Sequence, residues 1–290
     1  MAKISNCVVE ADVETATLWF MERNARFDHE RPFLFTYPLE DGSFPSNLKH
    51  KSRDGITIRN LRNGVPSYEE SGIGVLDLQT ALEHDDYDDA EKVQTVLLPK
   101  VREALRLFLG AHSIHIIEYK LRRRAPDFPL STGKQYTDAQ PAIGAHVDYT
   151  DKEIIEIINV VAKGDTDKWR KHRVQGLNLW APLNGPLRDW PLCVCDSSTV
   201  GHDDDLQVAD VVFRDKVAEN LQLHFSDRQQ WYYIKDQIPS EFLIFRATDT
   251  NKPKFAAVPH CSFQCSQASG SAAPRESIEI RVLALHDHSA

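Results

Sequence analysis

The chain has little cysteine, no long apolar run and no surplus of positive charge. Its five cysteines among 290 residues form an odd set without a secretory context, so free thiols and a cytosolic location are expected. No stretch approaches the roughly 18 apolar residues of a membrane span. The N-terminal MAKISNCVVEADVE carries acid where a signal peptide needs an unbroken apolar core. Net charge is −9, and the one basic run, Lys120 to Arg124, is too local to make a coherent positive surface. Nucleic-acid binding is thereby disfavoured, since it rests on displacing counterions with such a surface. Internal repeats, low-complexity tracts and Gly/Ser linkers are also missing. A single domain over residues 1–290 is expected, with oligomeric state left open.

What is present is mostly strand-like. Residues 1–110 read as N-terminal strands with a supporting helix: ATLWFMER, FLFTYPL, GITIRNLR and GIGVLDL are short runs punctuated by Pro, Gly, Asp and Asn. Over 88–110 the spacing turns helical. Val93, Val96, Leu97, Val101, Leu105 and Phe108 share a side, Pro99 is placed to kink the helix, and Gly110 suits its C-terminal cap. Residues 111–290 return to strands, at 114–121, 143–148, 176–183, 192–195, 208–213, 221–225, 231–234, 242–246, 255–263 and 277–285, interrupted by an amphipathic helix at 151–163. A mainly β fold with flanking helices follows, its core a double-stranded β-helix, the cupin-like jelly roll.

Two distant histidines carry the chemistry. His146-Val147-Asp148 sits in QPAIGAHVDYT and His260 in AAVPHCSF, with Arg275-Glu276-Ser277 following. In an extended segment, side chains at i and i+2 point the same way, so His146 and Asp148 can converge on one ion. Two imidazoles and a carboxylate are the ligand set that holds non-haem Fe(II) with positions left open. Arg275 and Ser277 share a face by the same parity, and their side chains suit a carboxylate: guanidinium is planar, always charged and pairs in a bidentate way. Along PRESIEIRVLAL a polar face (Arg275, Ser277, Glu279, Arg281) alternates with an apolar one (Ile278, Ile280, Val282, Ala284). That polar face either meets water, as in an ordinary sandwich, or lines a barrel interior, where Glu279 and Arg281 need partners.

The H-x-D pattern recurs at His84-Asp86 and His202-Asp204, in the acidic runs EHDDYDD and GHDDDLQ. These read as solvated loops without the rigid support a ligand needs, and residues 84–89 and 202–205 are expected to be mutable to Asn or Ser with little kinetic effect. Cys193-x-Cys195 and Cys261-x-x-x-Cys265 are expected to be small core residues rather than a zinc site, with Cys261 facing away from His260.

NLWAPLNGPLRDWPLCVCDSST, FRATDT, VPHCSF and PRESIEIRVLAL together resemble the gibberellin-desaturase-like, CmcJ-type family of Fe(II)/2-oxoglutarate-dependent oxygenases over about residues 115–285. The resemblance implies that His146, Asp148 and His260 bind Fe(II), that Arg275 and Ser277 hold the distal carboxylate of 2-oxoglutarate, and that Tyr119 adds a hydrogen bond to it. Gln140 and Asn178 belong either to this pocket or to loop anchoring. Trp180 and Trp190 read as core or pocket wall. O2 is the second co-substrate, and hydroxylation, desaturation or oxidative cyclisation of a small natural-product metabolite is the expected reaction. The alternatives are an isopenicillin-synthase-like iron oxidase that dispenses with 2-oxoglutarate, a zinc hydrolase with the same ligands, and a non-enzymatic binding barrel. Substrate choice is expected to lie in the N-terminal strands, the 125–140 loop and residues 151–173.

Overall fold

The computed structural model describes residues 12–79, 82–129, 136, 138–165, 169, 171–252, 256–266 and 273–287. Its strands are β1 (Val13–Met21), β2 (Phe33–Phe35), β3 (His50–Asn60), β4 (Ile73–Asp77), β5 (Ser113–Arg123), β6 (His146–Val147), β7 (Val174–Pro182), β8 (Leu192–Cys195), β9 (Leu206–Val212), β10 (Val217–Leu223), β11 (Trp231–Tyr233), β12 (Glu241–Asp249), β13 (His260–Ser262) and β14 (Glu276–Leu285). They form a nine-stranded sheet, ordered β1-β3-β11-β8-β13-β6-β10-β9-β2, and a five-stranded sheet, ordered β4-β12-β7-β14-β5. From β5 to β8, and again from β11 to β14, the chain alternates between the sheets. That alternation makes the jelly roll the sequence predicts. Strands from the first 110 residues are not a separate layer of their own: β1, β2 and β3 extend the large sheet and β4 the small one.

The apolar alternation explains the layering. Ile278, Ile280, Val282 and Ala284 of β14 pack with Leu177, Leu179 and Ala181 of β7 against the helical segment, whose Val93, Leu97, Val101 and Leu105 are all fully buried. The small sheet is therefore covered on both faces, which is why every residue of β7 is buried. Between the sheets lie Trp180, Leu243 and Phe245 from one side and Leu192 and Val194 from the other. On the outer face of the large sheet, Cys193, Cys195 and Cys261 are buried under Ala16, Leu18 and Phe20 of β1. The cysteines are thus free core thiols, as expected.

The helical segment is less regular than its spacing suggests. Residues Val93–Leu97 form a π turn, and helix α1 (Leu98–Leu109) begins with Pro99 in its first turn. Proline lacks the amide that would continue the preceding α pattern, so the irregularity falls just before it. Gly110 caps α1 at φ 60°. Phe108, expected in the core, is 40% exposed and leans on the Tyr68 ring. Helix α2 (Asp151–Val161) is capped by Thr150, whose hydroxyl accepts from the Glu153 amide, and buries Ile154 and Ile158.

The acidic runs depart from the sequence expectation. Both are short helical turns, His84–Asp88 and His202–Asp205, rather than loops. Asp205 is 1% exposed; it accepts from the Gly201 amide at 2.8 Å and pairs with Arg23 and Arg228, each at 3.3 Å. Replacing Asp205 by Ala is expected to cost about 1–3 kcal/mol in urea unfolding, because the buried amide loses its acceptor. Ile280→Ala is expected to cost about 2–5 kcal/mol by the same measurement, from the cavity left between sheet and helix.

Candidate metal centre

The two histidines meet because their strands pair. His260 on β13 is the registered partner of His146 on β6, with ring centroids 4.5 Å apart. His146 Nδ1 donates to the Gly144 carbonyl at 2.9 Å, and His260 Nδ1 lies 3.4 Å from the Val258 carbonyl. Each contact fixes a tautomer and leaves the Nε2 lone pair free, the usual arrangement for an imidazole ligand. Gly144 permits this turn: a Cβ there would sit 2.6 Å from His50 Nε2. The Asp148 oxygens lie 3.4 Å from His146 Nε2 and 3.8 Å from His260 Nε2. All three potential ligand atoms fall within 4.8 Å of one another. Two nitrogens and one carboxylate oxygen, converging in a partly buried slot, fit a divalent transition metal.

Electrostatics favour the metal-binding form at His260 and Asp148 and oppose it at His146. Burial, helped by the charge of His146, pushes His260 down to about 4, so its imidazole is neutral near pH 7. For His146 burial acts downward, but the hydrogen bond and charge of Asp148 outweigh it and the pKa rises. Burial opposes ionisation of Asp148 as well; Arg281 and the two imidazoles overcome it and hold the carboxyl well below its usual range.

Arg275 is 1% exposed and reaches in beside the triad. Its Nη1 donates to the Trp190 carbonyl at 2.7 Å and Ser262 Oγ at 2.6 Å, and its guanidinium lies 5.1 Å from the Trp180 ring centre. Trp190 sits at φ 48°, in the left-handed region a side chain rarely adopts. No described carboxylate pairs with the Arg275 side chain; Asp189 accepts from its backbone amide instead. Burial, with the like charge of Arg122, lowers the guanidinium to about 9. Arg275 Nε and Ser277 Oγ are both buried without a hydrogen-bond partner. A buried cation and hydroxyl left this way favour an anionic ligand. His146, His260, Arg275, Ser262, Trp180, Arg122 and Glu279 line one cavity.

Not every expected residue is there. Tyr119 is the partner of Ile280 and packs in the helix-side core, on the opposite face of β5 from the cavity. Arg122, three residues further along β5, takes the interior position across from Ser277. The cause is a bulge. Ile116 pairs with Val282 and Glu118 with Arg281, leaving Ile117 unpaired, so parity flips before Tyr119. Gln140 ties a loop down, accepting from the Ala125 amide and donating to the Arg123 carbonyl. Asn178 does reach the site, where it donates to Asp148. Sequence reading missed Arg122 and Ser262, although Ser262 is two residues beyond His260, the parity that pairs Asp148 with His146.

The chain is similar to several known proteins. The family profile described as "Oxidoreductase/YMDC permease-like domain" matches residues 18–285. No helix among the described residues is long and apolar enough to cross a membrane. The Fe(II)/2-oxoglutarate-dependent dioxygenase nvfI of Aspergillus novofumigatus is 34% identical over 145 residues, 50% of this chain and 52% of that protein, so this alignment spans about half of the relative's length. The alpha-ketoglutarate-dependent dioxygenase tstK of Talaromyces stipitatus is 24% identical over 263 residues, 86% of this chain and 94% of the relative. Among solved structures, the iron and alpha-ketoglutarate-dependent endoperoxidase NvfI superposes with a TM-score of 0.80 at 22% identity, covering 95% of this chain and 99% of the other, a likeness of fold. The chain therefore belongs to the oxidoreductase/YMDC permease-like domain family, and relatives it matches are named Fe(II)/2-oxoglutarate-dependent dioxygenases.

Proposed function

We propose that this protein is an Fe(II)/2-oxoglutarate-dependent oxygenase that hydroxylates, desaturates or oxidatively cyclises a small natural-product metabolite. His146, Asp148 and His260 hold the metal, and Arg275 with Ser277 receives the distal carboxylate of the co-substrate. Residues 1–290 act as one oxygenase domain. The four described cysteines, all buried and free, suit a reducing cytosol.

The observation that carries this reading is the buried Arg275 guanidinium, which has no described carboxylate partner and an unbonded Nε and lines one cavity with His146 and His260, together with the unbonded hydroxyl of Ser277 two residues on. A metal site alone would serve a hydrolase equally well. A buried cation poised for a carboxylate is what a 2-oxo diacid needs and a metal-bound water does not. When bound, Fe(II) and 2-oxoglutarate supply oxygen activation coupled to decarboxylation, with succinate and CO2 released. The chain's residues supply order. The two Nε2 atoms and Asp148 offer three ligands from one side, leaving the rest of the coordination sphere free. Arg275 and Ser277 fix the far end of the co-substrate and so orient its chelating end. Trp180 and Leu192 wall the cavity and keep water away from the guanidinium, which strengthens its hold on an anion.

His146→Ala and His260→Ala are each expected to abolish iron retention and turnover, measured by metal analysis after anaerobic loading and by succinate formation. Arg275→Ala is expected to retain iron but raise the apparent KM for 2-oxoglutarate about 10–100-fold, the loss of roughly 1.5–3 kcal/mol for a charge-assisted contact. Tyr119→Phe, on the other face of its strand, is expected to leave that KM within about twofold, since its hydroxyl is out of reach. Oxygen uptake that proceeds at full rate without 2-oxoglutarate, or an Arg275→Ala protein of normal co-substrate affinity, removes the assignment.

A further inference from the structure

Asp148 lies just past β6, whose strand pairing ends at Val147. No ladder bond of its own holds it, yet a metal ligand must be fixed within about half an ångström. The support comes from the facing sheet. Asn178 on β7 and Arg281 on β14 are registered partners there. Asn178 Nδ2 donates to Asp148 Oδ2, and Arg281 Nη2 lies 3.3 Å from Asp148 Oδ1. Each carboxylate oxygen thus has one donor from a rigid strand.

Arg281 is itself clamped. Its Nε donates to Glu279 Oε1 at 2.7 Å, its Nη2 lies 2.6 Å from the same oxygen, and its Nη1 donates to Glu118 at 2.8 Å. The guanidinium also rests 5.5 Å from the Tyr149 ring centre. Glu279 is anchored in turn, its second oxygen 3.4 Å from Arg122 Nε. With its edges engaged, the guanidinium cannot follow a swinging aspartate; the aspartate must conform to it.

Resting on the reading of Asp148 as a metal ligand, we propose that Asn178 and Arg281 are positioning residues that set the carboxylate plane before the metal arrives, with Glu279 as the brace for Arg281. The two donors use one acceptor site on each oxygen, and a carboxylate has about four, so capacity for the metal remains. Simple neutralisation of buried charge is a different account, and it assigns Asn178 no role, because an amide carries no charge. The two accounts separate at that residue.

The test is anaerobic titration of the purified full-length apoprotein with Co(II), followed by calorimetry and by visible d–d absorption, in wild type, Asn178→Ala, Arg281→Gln and Arg281→Lys, with His146→Ala as the site control. Thermal unfolding of each apoprotein is measured alongside. Expected is Co(II) binding about 10–100-fold weaker in Asn178→Ala and Arg281→Gln, the range for loss of a residue orienting a ligand, with shifted absorption bands. Arg281→Lys is expected to recover only part of the affinity, since a point charge cannot bond Asp148, Glu279 and Glu118 in one plane. Asn178→Ala leaves no buried charge unpaired and stays folded where an arginine variant does not. An Asn178→Ala protein with wild-type Co(II) affinity and spectrum overturns the proposal. If wild-type protein shows no His146-dependent Co(II) binding, the metal assignment itself falls and takes the inference with it.

Discussion

The structure turns on the burial of a charged face. Along β14 the residues that alternate with isoleucine and valine are Ser277, Glu279 and Arg281, and the fold sends them between two sheets rather than into water. Burying ions is costly unless each finds a partner. Asp148 and Glu279 are negative; Arg122, Arg275 and Arg281 are positive. Arg281 and Arg122 satisfy the two carboxylates. Arg275 is left over, held by a carbonyl and a serine hydroxyl. Adding a divalent metal makes the interior more positive still, and a doubly charged diacid redresses it. Metal and co-substrate are thus tied together electrostatically as well as through coordination.

Much of this was legible in the sequence because both periodicities report what they bury. Period two located the core strands close to their observed bounds and put His146 with Asp148, and Arg275 with Ser277, on common faces. What the alternation of β14 could not decide was which face meets water. The answer depends on the helical segment, whose Leu97, Val101 and Leu105 claim the isoleucine side and leave the charged side to the interior. The error at Tyr119 has an equally local cause. With unbroken alternation from Ile114 and Ile116, Tyr119 would face the cavity. One extra residue, Ile117, reverses every position after it, and a bulge belongs to the strand pair, invisible in one strand alone.

The competing H-x-D pairs show why spacing needs a backbone. At His84 and His202 the same three-residue pattern lies on helical turns, where residues i and i+2 diverge instead of sharing a face. The pair at 146 and 148 starts instead on β6 and turns just past it, and among the described residues it is the pair with a further imidazole, His260, across a strand pair. Acidic composition led to a reading of those runs as solvated loops, which leaves out what one of their carboxylates does. Asp205, in the same run as His202, is buried as a structural acceptor for two arginines and an amide.

The division of labour between the sheets follows from these constraints. The large sheet carries the imidazoles, and β13 separates its faces cleanly: His260 and Ser262 look inward while Cys261 packs outward against Cys193 at 3.6 Å. The register of β6 and β13 is enforced by β8 and β10, their other neighbours, and the carbonyls of Gly144 and Val258 just before the two strands orient the rings. The small sheet supplies what a short strand cannot: Asn178 and Arg281, which contact the Asp148 carboxylate, with Arg275 just before β14. Among the described residues, the stretches within 125–140 and 151–173 lie outside both ladders. The histidine register and the contacts on Asp148 come instead from strand pairing in the two sheets.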